Sequence, residues 1–212
     1  MTTPYYEDDL ATLYHGDCRE VRDWLLADVL VTDPPYGMNA ALTRSAIDVP
    51  IAGDRDTTLR DEALALWGER PAIVFGHWRK PRPAGVTHLA IWDKVHMALG
   101  AATSPFAPNH EEIYLLGDPA WSGGRRPTVL RYANLLGDAR PDHPTPKPVA
   151  LMGALLEVAH AGTIADPFAG SGTTLLAAKY AGRRAIGVEF SEAYCEVAAS
   201  RLAQDTLFGG VA

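Results

Sequence analysis

Residues 163–190 constrain the fold more than any other stretch. TIADPF (163–168) is an apolar run ending near an Asp-Pro pair, TTLLAAKYAG (173–182) has helical periodicity and stops at Gly182, and AIGVEF (185–190) is a second apolar run. Strand, glycine loop, helix and strand in so short a space predict a parallel βαβ unit. The alternation extends over most of the chain. ATLYHG (11–16), DVLVTD (28–33), AIVFG (72–76), HLAIWD (88–93) and EEIYLLG (111–117) read as further strands. CREVRDWL (18–25), VALMGALLEVAHAG (149–162) and SEAYCEVAASRLAQ (191–204) read as helices, the last with Ser191 as N-cap. The expected fold is α/β, a Rossmann-like doubly wound sheet that is mostly parallel. HLAIWD and EEIYLLG, joined by an Ala- and Pro-rich segment, are the place for an antiparallel pair.

Size and composition narrow the class. The 212 residues are 47% hydrophobic, which suits one domain with a core that needs no staple. Cys18 and Cys195 cannot form a disulfide framework, and no Cys/His spacing suits zinc, so no metal is expected. The opening MTTPYYEDDLATLYHGD lacks the basic and apolar regions of a signal peptide, and no apolar run approaches the ~18 residues of a spanning helix. A cytoplasmic protein without membrane contact is expected.

The net charge of −7 conceals a gradient: residues 1–70 carry −8, residues 71–150 carry +3 and residues 151–212 carry −2. HWRKPRP (77–83) and GGRRPTVLR (123–131) are basic clusters inside an acidic chain, and binding to a polyanion depends on where cations sit. Taken alone, either cluster reads as solvated loop charge. Residues 37–70 and 117–146 read as long irregular loops, a type usually kept for function.

Two segments carry chemistry. Asp33-Pro34-Pro35-Tyr36 ends the run DVLVT, where ligands of such sheets bind. The prolines stiffen the backbone and remove two N–H donors. The Pro34 carbonyl and the Asp33 carboxylate then form two acceptors beside an aromatic ring, a set that suits an exocyclic amine on a base. A rigid turn with a capping Asp is the plainer alternative. Asp166-Pro167-Phe168-Ala169-Gly170-Ser171-Gly172-Thr173-Thr174 also runs from a strand end into a helix. Its glycines allow close approach of a ligand, and the absence of a Lys excludes a Walker A loop. Glu189 ends the next strand, 19 residues after Gly170, where an acid can hold ribose hydroxyls.

These residues resemble the amino DNA methyltransferases that use S-adenosylmethionine. DPPY is similar to their catalytic motif and DPFAGSGTT to their cofactor loop, while IGVEFSEAYCEVAASRL resembles the segment that follows it. HPTPKPVALM (143–152), LYHGDCREV (13–21), IWDK (91–94) and HEEIYLLG (110–117) match further motifs, leaving mainly 37–70 and 117–142 unmatched. DPPY precedes the glycine loop, the order of the circularly permuted β group.

The resemblance implies a single catalytic domain over 1–212 with a seven-stranded sheet containing one antiparallel strand. It implies that Asp33, Pro34, Pro35 and Tyr36 hold a flipped-out adenine for methylation at N6, with cytosine N4 as the alternative. S-adenosylmethionine would be lined by Asp166, Phe168, Gly170, Ser171, Gly172 and Thr173. Glu189 would take its ribose, Asp17 and Cys18 would lie near its adenine, and Thr145 and Lys147 would reach its carboxylate. The partner would be double-stranded DNA, met by Arg79, Lys80, Arg125, Arg126 and Arg131. The segment 117–142 is too short for an independent recognition domain, which points to a short target or to recognition shared by a homodimer. An RNA or protein amino methyltransferase, or a DNA-binding module without catalysis, are rival readings.

Overall fold

A computed structural model describes residues 2–37, 55–95, 106, 109–117, 121, 125–133 and 147–208, with side chains through Gln204. In chain order it contains β1 (Tyr6–Glu7), β2 (Ala11–His15), β3 (Val29–Thr32), α1 (Thr58–Trp67), β4 (Ala72–Gly76), β5 (Val86–Asp93) and β6 (His110–Leu116). There follow β7 (Val129–Arg131), α2 (Val149–Val158), β8 (Ile164–Asp166), α3 (Thr173–Tyr180), β9 (Ala185–Glu189) and α4 (Glu192–Phe208).

The strands form one sheet in the order β1-β2-β9-β8-β3-β4-β6-β5-β7. The doubly wound α/β class is as expected, and the seven expected strands are all present. Two short edge strands, β1 and β7, extend the sheet to nine. Within the seven, β6 alone runs against its neighbours, pairing antiparallel with both β4 and β5. From β3 the chain winds outward to β4, and from β8 it winds outward to β9 the other way. That reversal opens a crevice beyond the carboxyl ends of β8 and β3, the place where such sheets take ligands.

Alternation along the central strands splits the core into two layers. Val29, Val31, Ile73 and Phe75 face one layer with Leu151, Met152, Leu155 and Leu175 of the helices. Leu30, Ala72 and Val74 face the other, with Trp24, Ala63 and Trp67. Strands buried on both faces need continuous apolar runs, which is why these segments stand out in the sequence. Among the described residues no helix is long and apolar enough to cross a membrane.

Two local expectations are corrected. CREVRDWL is not a helix but a turn followed by one turn of 3-10 helix, Asp23–Leu26. The indole of Trp24 donates to the Cys18 carbonyl at 2.8 Å and the Arg22 guanidinium to the Arg19 carbonyl at 3.0 Å. Those carbonyls would otherwise accept the next backbone N–H groups of a continuing α-helix. Inside 37–70, read as irregular throughout, lies α1. Its buried face is Arg60, Ala63 and Trp67 in the i, i+3, i+7 pattern, so a charged residue opens the otherwise apolar stripe. Arg60 is buried by pairing with Asp61 and donating to the Pro81 carbonyl.

Candidate active site

The sheet order brings distant segments to one edge. β8 lies beside β3 in parallel register, Leu30 opposite Ala165, so the DPPY turn and the glycine loop leave adjacent strands at the same end. β9 and β2 follow on one side, delivering Glu189 and Asp17. On the other side β4 ends before His77. The antiparallel β6 begins at this same edge, with Glu112 opposite Gly76, and so presents Glu111 there.

On the glycine-loop side the contacts are hydrogen bonds, many of them from backbone N–H to carboxylate. Glu189 accepts from the Gly170 N–H at 2.8 Å and from the Ser191 N–H at 2.7 Å. Burial raises its carboxyl pKa against these hydrogen bonds. Gly172 begins α3 at φ 78°, and a Cβ there would come within 2.9 Å of Ala198 in α4. The glycine is therefore demanded by its own conformation and by the close approach of a helix. Arg201 of α4 donates to the Ser171 carbonyl at 2.5 Å, to its hydroxyl at 3.0 Å and to the Thr173 hydroxyl at 3.2 Å. Those two hydroxyls are thus turned toward α4. Asp166 is fully buried, accepting from the Thr32 hydroxyl at 2.7 Å and the Phe168 N–H at 3.1 Å. Burial, against these hydrogen bonds, pushes its carboxyl up to about 7. Asp17 is braced by Arg19 at 2.6 Å, whereas the Cys18 side chain is buried in the core around Trp24.

On the DPPY side a charge network dominates. The Lys147 ammonium lies 2.5 Å from Asp33 Oδ2 and 3.2 Å from Glu111 Oε2. Lys94 meets the other Glu111 oxygen at 2.6 Å. The Tyr36 hydroxyl donates to Asp33 Oδ1 and lies 3.1 Å from Glu111 Oε2. The rings of Phe75, Tyr36 and Trp92 surround the Lys147 ammonium at 5.1, 5.6 and 5.8 Å. Burial acts against Glu111 as an anion, yet the two ammoniums outweigh it and hold the carboxyl at about 2. Burial and the nearby Glu111 raise Asp33, opposed by Lys147. Burial lowers the Lys147 pKa, but the two carboxylates overcome it and raise it. Tyr36 is raised well above its ordinary value by burial and by the same carboxylates.

The site thus gathers Asp33, Tyr36, the glycine loop and Glu189 along one edge, as the sequence implied. Lys147 stands at Asp33 and Glu111. Thr145 lies outside the described residues. Of the basic residues, Arg126 pairs with Glu157 and Arg131 with Asp93 at 3.1 Å. Lys80 donates to the Gly37 carbonyl, Arg79 lies over the Trp78 ring and Arg125 is exposed. Glu111 was missed. Its signal was an acidic pair opening an otherwise apolar strand.

A sheet of this order, with a glycine loop and an acidic turn leaving adjacent strands at one edge, defines a doubly wound α/β protein with a ligand crevice at its carboxyl ends. A family profile described as DNA methylase, of the N6/N4 methyltransferase type, matches residues 77–200. The type II methyltransferase M2.LlaDCHI of Lactococcus lactis subsp. cremoris is 36% identical over 99% of this chain and 95% of its own. The chain belongs to the N6/N4 DNA methyltransferase family. Its fold is that of M1.HpyAVI, solved as a complex with SAM (TM-score 0.68, 22% identity, 91% of this chain and 99% of that one). The cytosine-N4-specific PvuII DNA methyltransferase shares the fold at TM-score 0.64 and 16% identity, over 94% of this chain and 89% of that one.

Proposed function

We propose that the protein transfers a methyl group from S-adenosylmethionine to the N6 amino group of adenine in double-stranded DNA, the base being flipped out onto Tyr36. The observation that carries this reading is the nitrogen already held at Asp33. An N–H-bearing ammonium sits 2.5 Å from Oδ2, at the strand end next to the glycine loop. The same carboxylate oxygen can accept an N–H of a base's amino group, though more weakly than it holds the ammonium.

The residues present fit the cofactor. Each Glu189 oxygen takes one backbone N–H and keeps a lone pair for a ribose hydroxyl. The Phe168–Gly172 loop supplies the backbone edge against which the rest of the molecule would lie. When bound, S-adenosylmethionine supplies an electrophilic methyl group on sulfur.

The protein's own residues do the orienting. Asp33 Oδ2 and the Pro34 carbonyl accept the two N–H protons of the amine. The lone pair is drawn out of conjugation with the ring and aimed toward the glycine loop. Lys147 yields its contact with Asp33 to the incoming amine and keeps Glu111. Tyr36 stacks on the base, returning ~1–3 kcal/mol of the extrusion cost. Asp33 is placed to take the N–H proton after the C–N bond has formed, so a strong base is not needed. Positioning and electrostatics then carry the rate. Residues 117–142 act as a short recognition segment. Its β7 extends the sheet edge, and Arg125, Arg126 and Arg131, with Arg79 and Lys80, meet phosphates or base edges.

Nucleoside mass spectrometry of unmethylated duplex DNA incubated with protein and S-adenosylmethionine tests this. N6-methyladenine is expected. N4-methylcytosine would keep the mechanism and change the base. No methylated base, with S-adenosylhomocysteine still bound, would overturn DNA as the substrate.

A further inference from the structure

β4 ends at Gly76 and turns through His77–Lys80, closed by the Lys80 N–H to the His77 carbonyl at 2.9 Å. Trp78 sits on this turn, 54% exposed, while Trp24, Trp67 and Trp92 are fully buried. A single exposed indole is ordinary on a protein surface. This one belongs to a ladder. Its ring stacks on His77 at 5.9 Å and 23°, and His77 in turn meets the ring of Tyr36 at 6.5 Å. The Arg79 guanidinium lies over the indole at 4.9 Å.

The ladder is held in place. The His77 Nδ1 accepts from the Arg79 N–H at 3.2 Å, which fixes the ring, and burial together with Arg79 lowers its pKa and favours the neutral form. Lys80 ties the turn to the DPPY loop through the Gly37 carbonyl. Aromatic planes and a guanidinium therefore run outward from the ring that receives the target base.

We infer that Trp78, flanked by His77 and Arg79, is a stacking platform for a base next to the target in the unpaired DNA strand. The inference rests on the reading of the site as a DNA methyltransferase. A base pulled from the duplex leaves its neighbours unstacked, and an indole face replaces the lost stacking without regard to sequence. Arg79 adds a cation both to the stack and to the strand's phosphates. A carboxylate-rich partner would also suit Arg79, but flat rings at graded positions suit bases.

The test is binding of a short labelled single strand to the wild type, Trp78→Ala and Trp78→Phe, each with S-adenosylhomocysteine present. One lost stack predicts about tenfold weaker binding for Trp78→Ala, with most of it restored by Trp78→Phe. Calorimetry of S-adenosylhomocysteine is expected to be the same for all three, which reports an intact fold. If Trp78→Ala binds the strand as the wild type does, the platform is overturned, and methylated DNA would still uphold the methyltransferase reading. If the wild type holds S-adenosylhomocysteine but neither single-stranded nor duplex DNA, both fall.

Discussion

The two halves of the site are built on different principles. The half along β8 and β9 is held by hydrogen bonds, chiefly backbone N–H groups donated to carboxylates: Glu189 accepts from Gly170 and Ser191, and Asp166 from Phe168. The half along β3 and β6 is held by ion pairs among residues 33, 94, 111 and 147, which only the fold brings together. The first half keeps its shape through hydrogen bonds to backbone and hydroxyl groups. The second depends on charge balance in a buried place, where losing one member leaves another uncompensated.

That contrast predicts separable losses. Asp33→Ala should remove the acceptor for the target amine and reduce methyl transfer by about a hundredfold or more, the scale seen when one oriented polar group is lost. S-adenosylhomocysteine affinity should hold, since Glu189 and the loop are untouched. Rapid-quench assays beside calorimetry check this. A parallel fall in both would mean that the halves are not independent.

Asp166 lies where the halves meet, and pH probes it. Its carboxyl titrates at about 7 in the folded chain and near 4 when unfolded. The folded state therefore holds a proton that the unfolded state has released. The resulting loss of stability is absent below about pH 4, grows as pH rises toward about 7 and is complete above it. Asp166→Asn keeps an acceptor for Thr32 and removes the titration. Thermal unfolding from pH 4 to 8 should show the wild type losing a few kcal/mol relative to the variant. Parallel curves would count against it.

Legibility in the sequence followed the same division. β3, β4, β8 and β9 were visible because burial on both faces makes each an unbroken apolar run. DPPY and DPFAGSG were visible because their residues act within a few positions of one another. Glu111 and its pairing with Lys147 were not, because no spacing rule links positions 36 residues apart on separate elements. α1 was hidden by Arg60 on its buried face, and the helix read at 18–25 failed through side-chain donors capturing its carbonyls.

Glu111→Gln sharpens the comparison on the charged side. Glutamine keeps the size of the side chain but leaves Lys94 and Lys147 with a neutral partner. Lys147 retains Asp33, so the cost should stay at the lower end for a broken buried pair, about 3 kcal/mol of unfolding free energy. Urea unfolding measures it. A change below about 0.5 kcal/mol would mean that the network is no stronger than a surface pair.

The smallest effect belongs to Glu189→Gln on the other side. The amide retains one oxygen for either Gly170 or Ser191 and turns an NH2 toward the other donor, so the loop loosens locally. A ribose hydroxyl loses a charged acceptor, which predicts about tenfold weaker S-adenosylhomocysteine binding. Methyl transfer at saturating cofactor should recover most of the wild-type rate, because Asp33 and Tyr36 stand on the far side of the crevice. Unchanged affinity in calorimetry would reduce Glu189 to a brace for the loop and move ribose recognition to another group. A rate that stays low at saturation would show that the loop's shape reaches the methyl-transfer geometry, joining the two halves after all.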